Sequence, residues 1–259
     1  MHPKIYMSGD VLPPQNLLLY GPNGAGKTHL AGTGGGLIIN VEQGITTLVA
    51  QGMRVPIWNI TEPDEIWEVY DYLAKPSNHN HTMVAIDSYS DFASKTLEQV
   101  VGEAEKKDPD RLTDAAELRD HGRVTLKLGK VLRRFRDLPL DVILICGVRE
   151  PDDQDPRFRP NLPVSVSRQA RDYCDMIGYL SVVEEGNGEE EEKKNVRKLL
   201  FYSPSGAIVC RDRNGVFTTE TGRRGLTNPT YADIGKFVKD NAPVQPKQSG
   251  KAAKAAKSK

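Results

Sequence analysis

The chain has 259 residues, enough to bury one sizeable core, and carries 35 basic against 35 acidic side chains. The balance hides an asymmetry: Lys247, Lys251, Lys254, Lys257 and Lys259 crowd a final stretch without acids, and removing these five leaves 30 basic residues against 35 acidic ones. No apolar run approaches the roughly 18 residues of a membrane helix, and the N-terminus lacks a signal-peptide pattern, so a cytoplasmic protein with no membrane partner is expected.

Residues 17–20 are a short apolar run suited to a buried strand. They lead directly into Gly21-Pro22-Asn23-Gly24-Ala25-Gly26-Lys27-Thr28, a full match to the phosphate-binding pattern G-x-x-x-x-G-K-[ST]. Gly21, Gly24 and Gly26 leave room for backbone N–H groups to wrap a phosphate. Lys27 supplies a positive charge for the β- and γ-phosphates, and Thr28 a hydroxyl for Mg²⁺. Thr28, His29, Leu30 and Ala31 open the helix whose N-terminus faces the anion. Residues 21–29 are therefore the expected binding segment for a nucleoside triphosphate.

Residues 36–41 read as a second strand ending at Glu42, and 54–60 as a third, whose Pro56 favours an edge. Thr61-x-x-Asp64, with Pro63 in its first turn, starts a helix carrying Ile66, Val69, Tyr70 and Leu73 on one face. Residues 83–86 are a fourth strand, closed by Asp87 and Ser88. The next helix is expected from about 115 to 136, with Val124, Leu128, Val131, Leu132 and Phe135 on one stripe. Arg123, Lys127, Lys130, Arg133 and Arg134 fill a solvated face. Residues 141–146 are a fifth strand.

Residues 150–171 lack periodicity and are rich in Pro, Asp and Arg, which reads as a long functional or disordered loop. Residues 176–183 and 197–202 are two further strands, joined by an acidic insert, 184–192, as a solvated hairpin tip. Residues 208–213 are expected to add a last strand and 231–238 a short helix. From Pro243 the composition is that of a disordered tail. The reading gives one domain, 1–242, and a Lys-rich tail, 243–259. Its alternation of strands and helices implies an α/β fold: a mostly parallel central sheet flanked by helices, with antiparallel C-terminal strands. Cys146, Cys174 and Cys210 are odd in number and widely spaced, which fits buried thiols in a reducing compartment. His79-x-His81 reads as solvated loop.

Hydrolysis of a triphosphate needs an acid to hold Mg²⁺ and a base for the attacking water. Asp87, at the C-terminal end of an apolar strand, fits the first in the Walker B manner; the competing reading is a helix cap for Asp91, Phe92 and Ala93. Glu42 ends the strand after the P-loop helix, where open α/β sheets bind ligands, and fits the second. The alternative there is a plain polar turn.

The order of these elements resembles the RecA core: P-loop, Ile39-Asn40-Val41-Glu42, Trp58 to Asp64, then Val84-Ala85-Ile86-Asp87-Ser88. The length is similar to that of compact RecA-like ATPases of bacteriophages, which accompany single-strand annealing and recombination genes. The resemblance spans roughly residues 15–215. It implies an ATPase using ATP and Mg²⁺, with Lys27, Glu42 and Asp87 catalytic, acting in DNA recombination or annealing in a bacterial host. It implies single-stranded DNA, an annealing protein or a single-strand-binding protein as partners, and self-association into a ring or filament. Gly147 stands where the family has a polar γ-phosphate sensor, with Arg149 as a substitute. Residues 150–171 occupy the place of a DNA-binding loop, with Arg157, Arg159, Arg168 and Arg171 for phosphates. Arg211 and Arg213 resemble a basic pair that reaches a neighbouring subunit's nucleotide. Alternatives are a helicase or loader motor on the same core, or a nucleotide-gated regulator with little hydrolysis.

Overall fold

Strict alternation of side chains along the strands lets one sheet serve two cores. In a computed structural model of the chain, which describes residues 13–42, 44–108, 110–185 and 194–241, β1 (Asn16–Tyr20) sends Leu18 and Tyr20 to one face and Leu17 and Leu19 to the other. All four are fully buried, which explains why the strand reads as a continuous apolar run.

The P-loop follows β1 and leads into α1 (Lys27–Gly32). Then come β2 (Leu37–Asn40), α2 (Thr46–Ala50), β3 (Ile57–Asn59), α3 (Ile66–Leu73) and β4 (Met83–Asp87). Two long helices follow, α4 (Tyr89–Glu105) and α5 (Leu118–Arg136), and then β5 (Asp141–Cys146). The short strands β6 (Val148–Arg149) and β7 (Arg159–Pro160) precede α6 (Val164–Tyr173). The chain closes with β8 (Met176–Glu185), β9 (Lys194–Leu200), β10 (Arg211–Asp212), β11 (Leu226–Thr227) and α7 (Tyr231–Asn241).

The main sheet runs β11-β9-β8-β1-β5-β4-β2-β3, with β10 also on β8. Pairings from β8 across to β3 are all parallel, whereas β9, β10 and β11 join antiparallel. This is the mixed, mostly parallel sheet expected, with β3 at its edge. One face is covered by α3, α4, α5 and α6 through Val69, Phe92, Leu128 and Val166; the other by α1, α2 and α7 through Leu30, Leu48 and Ile234. On β5, Val142, Leu144 and Cys146 serve the first core, and Ile143 and Ile145 the second.

The structure corrects the sequence expectation in three places. A 17-residue helix, α4, fills the stretch between Asp87 and the helix expected near 115. Residues 150–171 are not one structureless loop, because β7 and most of α6 lie within them. Of residues 208–213 only Arg211–Asp212 form a strand; Ile208 makes an isolated bridge to Phe158. His79 stacks on His81 with ring centroids 5.3 Å apart, and its Nε2 meets the Leu73 carbonyl. The Lys-rich tail, and residues 186–192 of the acidic insert, lie outside the described residues. Among the described residues no helix is long and apolar enough to cross a membrane.

Candidate nucleotide site

A loop can wrap an anion only if its backbone can turn its N–H groups inward. Gly24 and Gly26 do so with φ of 77° and 89°, a region that disfavours side chains. Gly21 is required for a different reason: a Cβ there would lie 2.0 Å from the carbonyl oxygen of Leu180 on β8. The first glycine is thus a packing requirement of the adjacent strand, and the later two serve the curl of the loop.

The loop borders a cavity of about 530 Å³ at the C-terminal ends of the parallel strands. Asn23, Gly24, Gly26, Lys27 and Thr28 line one side and Asp87, Ser88, Ser90 and Asp91 another; Glu42, Gly147 and Asn161 are also among the lining residues. Gly21, Pro22, Ala25 and His29, also expected at the site, are not in this lining. Lys27 Nζ donates to the carbonyls of Gly21 and Pro22, each at 2.9 Å, so its charge is folded over the loop. Burial lowers its pKa, against the opposing pull of Asp87 and Glu42.

Asp87 ends β4 as a buried carboxylate. Thr28 Oγ1 donates to its Oδ2 at 2.7 Å. Burial pushes the Asp87 carboxyl up to about 6; the Thr28 hydrogen bond and Lys27 oppose this, and the Glu42 charge adds to it. The helix cap expected in this region belongs to the next residue. Ser88 caps α4, accepting from the Asp91 backbone N–H at 3.1 Å, and so leaves Asp87 free to face Thr28. The Asp87–Ser88 peptide is cis.

Glu42 is brought to Asp87 by backbone contacts. The N–H groups of Val41 and Glu42 donate to the Asp87 carbonyl at 2.7 and 3.3 Å. Lys95 on α4 donates to the Val41 carbonyl at 3.0 Å, pinning the segment from the helix side. The Glu42 side chain stays exposed at the cavity.

Two residues at the site carry no signal in the sequence. Asn161, just after β7, lines the cavity beside Gly147. Its backbone N–H donates to the Gly147 carbonyl at 2.9 Å, and Ser90 Oγ donates to the Asn161 carbonyl at 2.8 Å. Arg149 Nη2 donates to Asn161 Oδ1 at 3.4 Å. The glycine at the expected sensor position is therefore backed by an asparagine from the segment after β7, which no local motif announces. Arg197 on β9 is the second: its Nη1 donates to His29 Nδ1 beside the P-loop.

The expected DNA-contacting arginines line a second cavity of about 610 Å³, together with Arg149. They differ in how they are held. Arg157 is paired with Asp155 at 2.7 Å. Arg159 contacts Asp152 and donates to the carbonyls of Glu150, Asp155 and Arg157, so it organises the loop. Arg168 and Arg171 stand on α6 and make no ion pair among the described residues. Arg211 and Arg213 are not brought to the nucleotide cavity of their own chain. β10 pairs with β8 at Met176 and Ile177, whereas the P-loop follows Tyr20, which is level with Tyr179. Arg213 is bound to Asp175 at 2.9 Å and to the Asp172 carbonyl.

A glycine loop between a buried parallel strand and a helix, facing a buried acid two strands away, defines a P-loop NTPase α/β fold. The chain belongs to a family described as an AAA domain, whose model matches residues 13–214. It is thus an AAA, P-loop ATPase-like domain, a nucleotide-binding type. No curated protein matches the chain.

Proposed function

We propose that this protein is an ATP hydrolase of RecA type that acts on single-stranded DNA in recombination or strand annealing, in the manner of the compact bacteriophage ATPases. The observation that carries the reading is the meeting of Lys27, Thr28, Asp87 and Glu42 at one cavity, with Asn161 joining it to the arginine-lined cavity through Arg149. A positive loop, a buried acid–hydroxyl pair and an exposed carboxylate are the parts that phosphoryl transfer to water requires.

In this reading the P-loop N–H groups and Lys27 hold the β- and γ-phosphates, and Glu42 takes the proton of a water aligned on the γ-phosphorus. The donor set of Thr28 hydroxyl and Asp87 carboxylate, both hard oxygen ligands, fits Mg²⁺. When bound, Mg²⁺ would neutralise charge on the phosphate oxygens. Asp87 would have to be ionised to hold it, and the Thr28 hydroxyl would have to turn its proton away from Asp87.

Arg168 and Arg171 are the arginines best placed for DNA phosphates, because Arg157 and Arg159 are already engaged within their loop. Arg211 and Arg213 act across a subunit interface in a ring or filament. An Arg211→Ala/Arg213→Ala protein mixed with a Lys27→Ala protein should then recover activity that neither has alone. The principal test is ATP turnover with and without single-stranded DNA. Stimulation supports the reading. Turnover that ignores DNA, in a protein that does not bind it at low salt, leaves a nucleotide-gated regulator, which the missing side chain at Gly147 favours.

A further inference from the structure

Arg197 is a cation placed against an anion-binding loop, with no acid to neutralise it among the described residues. It sits on β9 on the same sheet face as Leu199 and Phe201, which pack with Leu30 and Ala31 of α1. The guanidinium therefore lies at the start of α1. A Cβ built on Gly26 would be 3.0 Å from Arg197 Cδ and 3.3 Å from Nη1, so the arginine covers the glycine that opens the helix. The one partner of its guanidinium among the described residues is the ring of His29. A guanidinium has no acceptor atom, so the His29 ring nitrogen accepts from it.

The sheet order fixes which end of a nucleotide this arginine meets. β1 feeds the P-loop. Asp87 lies two strands to one side, on β4, and Arg197 two strands to the other, on β9. A polyphosphate whose metal-binding end lies toward Asp87 runs across the loop toward β9. Its phosphate nearest the nucleoside comes to the Gly26–His29 side.

We infer that Arg197 is a nucleotide-binding residue supplied by the same chain, which exchanges His29 for the α-phosphate of the nucleotide. The inference rests on the nucleotide reading of the P-loop. A guanidinium suits the exchange: its fork gives up one ring nitrogen for two anionic oxygens. The contact is made equally to substrate and product, because both carry an α-phosphate. It therefore governs affinity and leaves the chemical step alone.

The test is the affinity of wild type, Arg197→Gln, Arg197→Lys and Lys27→Ala for MgATP, MgADP and MgCTP, with thermal melts as a control for folding. Arg197→Gln keeps most of the packing over Gly26 without the charge. The expected result is a loss of roughly ten- to a hundredfold for all three ligands alike, with partial recovery in Arg197→Lys. KM should rise with kcat little changed. Three results would overturn the inference: unchanged affinity in Arg197→Gln, a loss confined to MgATP, which places the contact at the γ-phosphate, or a changed preference between MgATP and MgCTP, which places it at the base. Failure of the P-loop reading itself is distinct, because Lys27→Ala would then bind as wild type does.

Discussion

The Thr28 hydroxyl donates to Asp87 Oδ2 at 2.7 Å, although β5 lies between β1, which feeds the P-loop, and β4, which ends in Asp87. Among the described residues this hydroxyl is the one hydrogen-bond donor to the buried Asp87 side chain. Burial is the larger effect, and the carboxyl is pushed up to about 6.

That shift has a sign that can be checked. The folded chain holds the Asp87 proton more tightly than the unfolded chain, in which the group titrates near 3.8. Ionising it therefore costs stability, and the nucleotide-free fold loses stability as pH rises from about 4 through 6. Asp87→Asn keeps the shape and removes the charge. It should stabilise the nucleotide-free protein near pH 7.5 by an amount on the order of 2–3 kcal/mol, and the gain should vanish near pH 4. Thermal melts of both proteins across this range decide it; a difference that does not change with pH counts against a buried carboxylate. In the same variant, Mg²⁺-dependent nucleotide affinity should fall.

Lys27→Ala should leave the fold intact and weaken nucleotide binding. The side chain holds two carbonyls of its own loop, worth less than about 2 kcal/mol of stability together, partly cancelled by the cost of burying its charge. Its loss should weaken nucleotide binding on the order of a hundredfold, because charge-assisted contacts to phosphate go with it. Unchanged hydrolysis in this variant would refute the P-loop assignment.

Glu42→Gln should separate binding from turnover. The backbone contacts that tie this segment to Asp87 are unaffected by the change, so the cavity keeps its shape. The amide cannot accept a proton, and positioned base catalysis is worth about 10²–10⁴-fold. Nucleotide affinity should stay within a few-fold of wild type while kcat falls by that factor. If Glu42→Gln and Asp87→Asn have the same effects on binding and turnover, the division of roles between the two acids is wrong.

Most strands of this fold are legible in the sequence because their buried stretches are apolar runs. Residues 17–20, 83–86 and 142–146 need no context. The P-loop, Glu42 and Asp87 are visible for the same reason, as polar residues set at the ends of such runs. α6 is hidden because only Val166 and Ala170 are buried on it; two small side chains make no visible period among Arg, Asp and Ser. α4 is masked at its start, where Ser88 and Asp91 adjoin the site acid, although Phe92, Thr96 and Val100 recur every four residues along it. The strand order, and with it the placing of Asn161 and Arg197 near the P-loop, is tertiary. No local pattern encodes which strand lies beside which.

The arginine-lined cavity allows a prediction that separates ligand contacts from scaffolding. Arg168 and Arg171 project from α6 without acidic partners among the described residues, whereas Arg159 is held by Asp152 and three carbonyls. Arg168→Ala/Arg171→Ala should weaken single-stranded DNA binding, flatten the log–log salt dependence by about 0.7 for each phosphate no longer neutralised, and leave the melting temperature nearly unchanged. Arg159→Ala should instead lower the melting temperature or the protease resistance of residues 150–163, because the loop loses its central donor. Asn161→Ala should reduce the ratio of DNA-stimulated to unstimulated turnover more than it reduces DNA affinity, since Asn161 touches both cavities through Gly147 and Arg149. Deleting 243–259 removes five lysines. It should flatten the salt slope while leaving unstimulated hydrolysis alone, because lysine charge adds sequence-independent affinity through counterion release. The measurement is DNA affinity and turnover across a salt series for all four variants. If Arg168→Ala/Arg171→Ala binds DNA with wild-type affinity and slope, this cavity is not the DNA-binding surface.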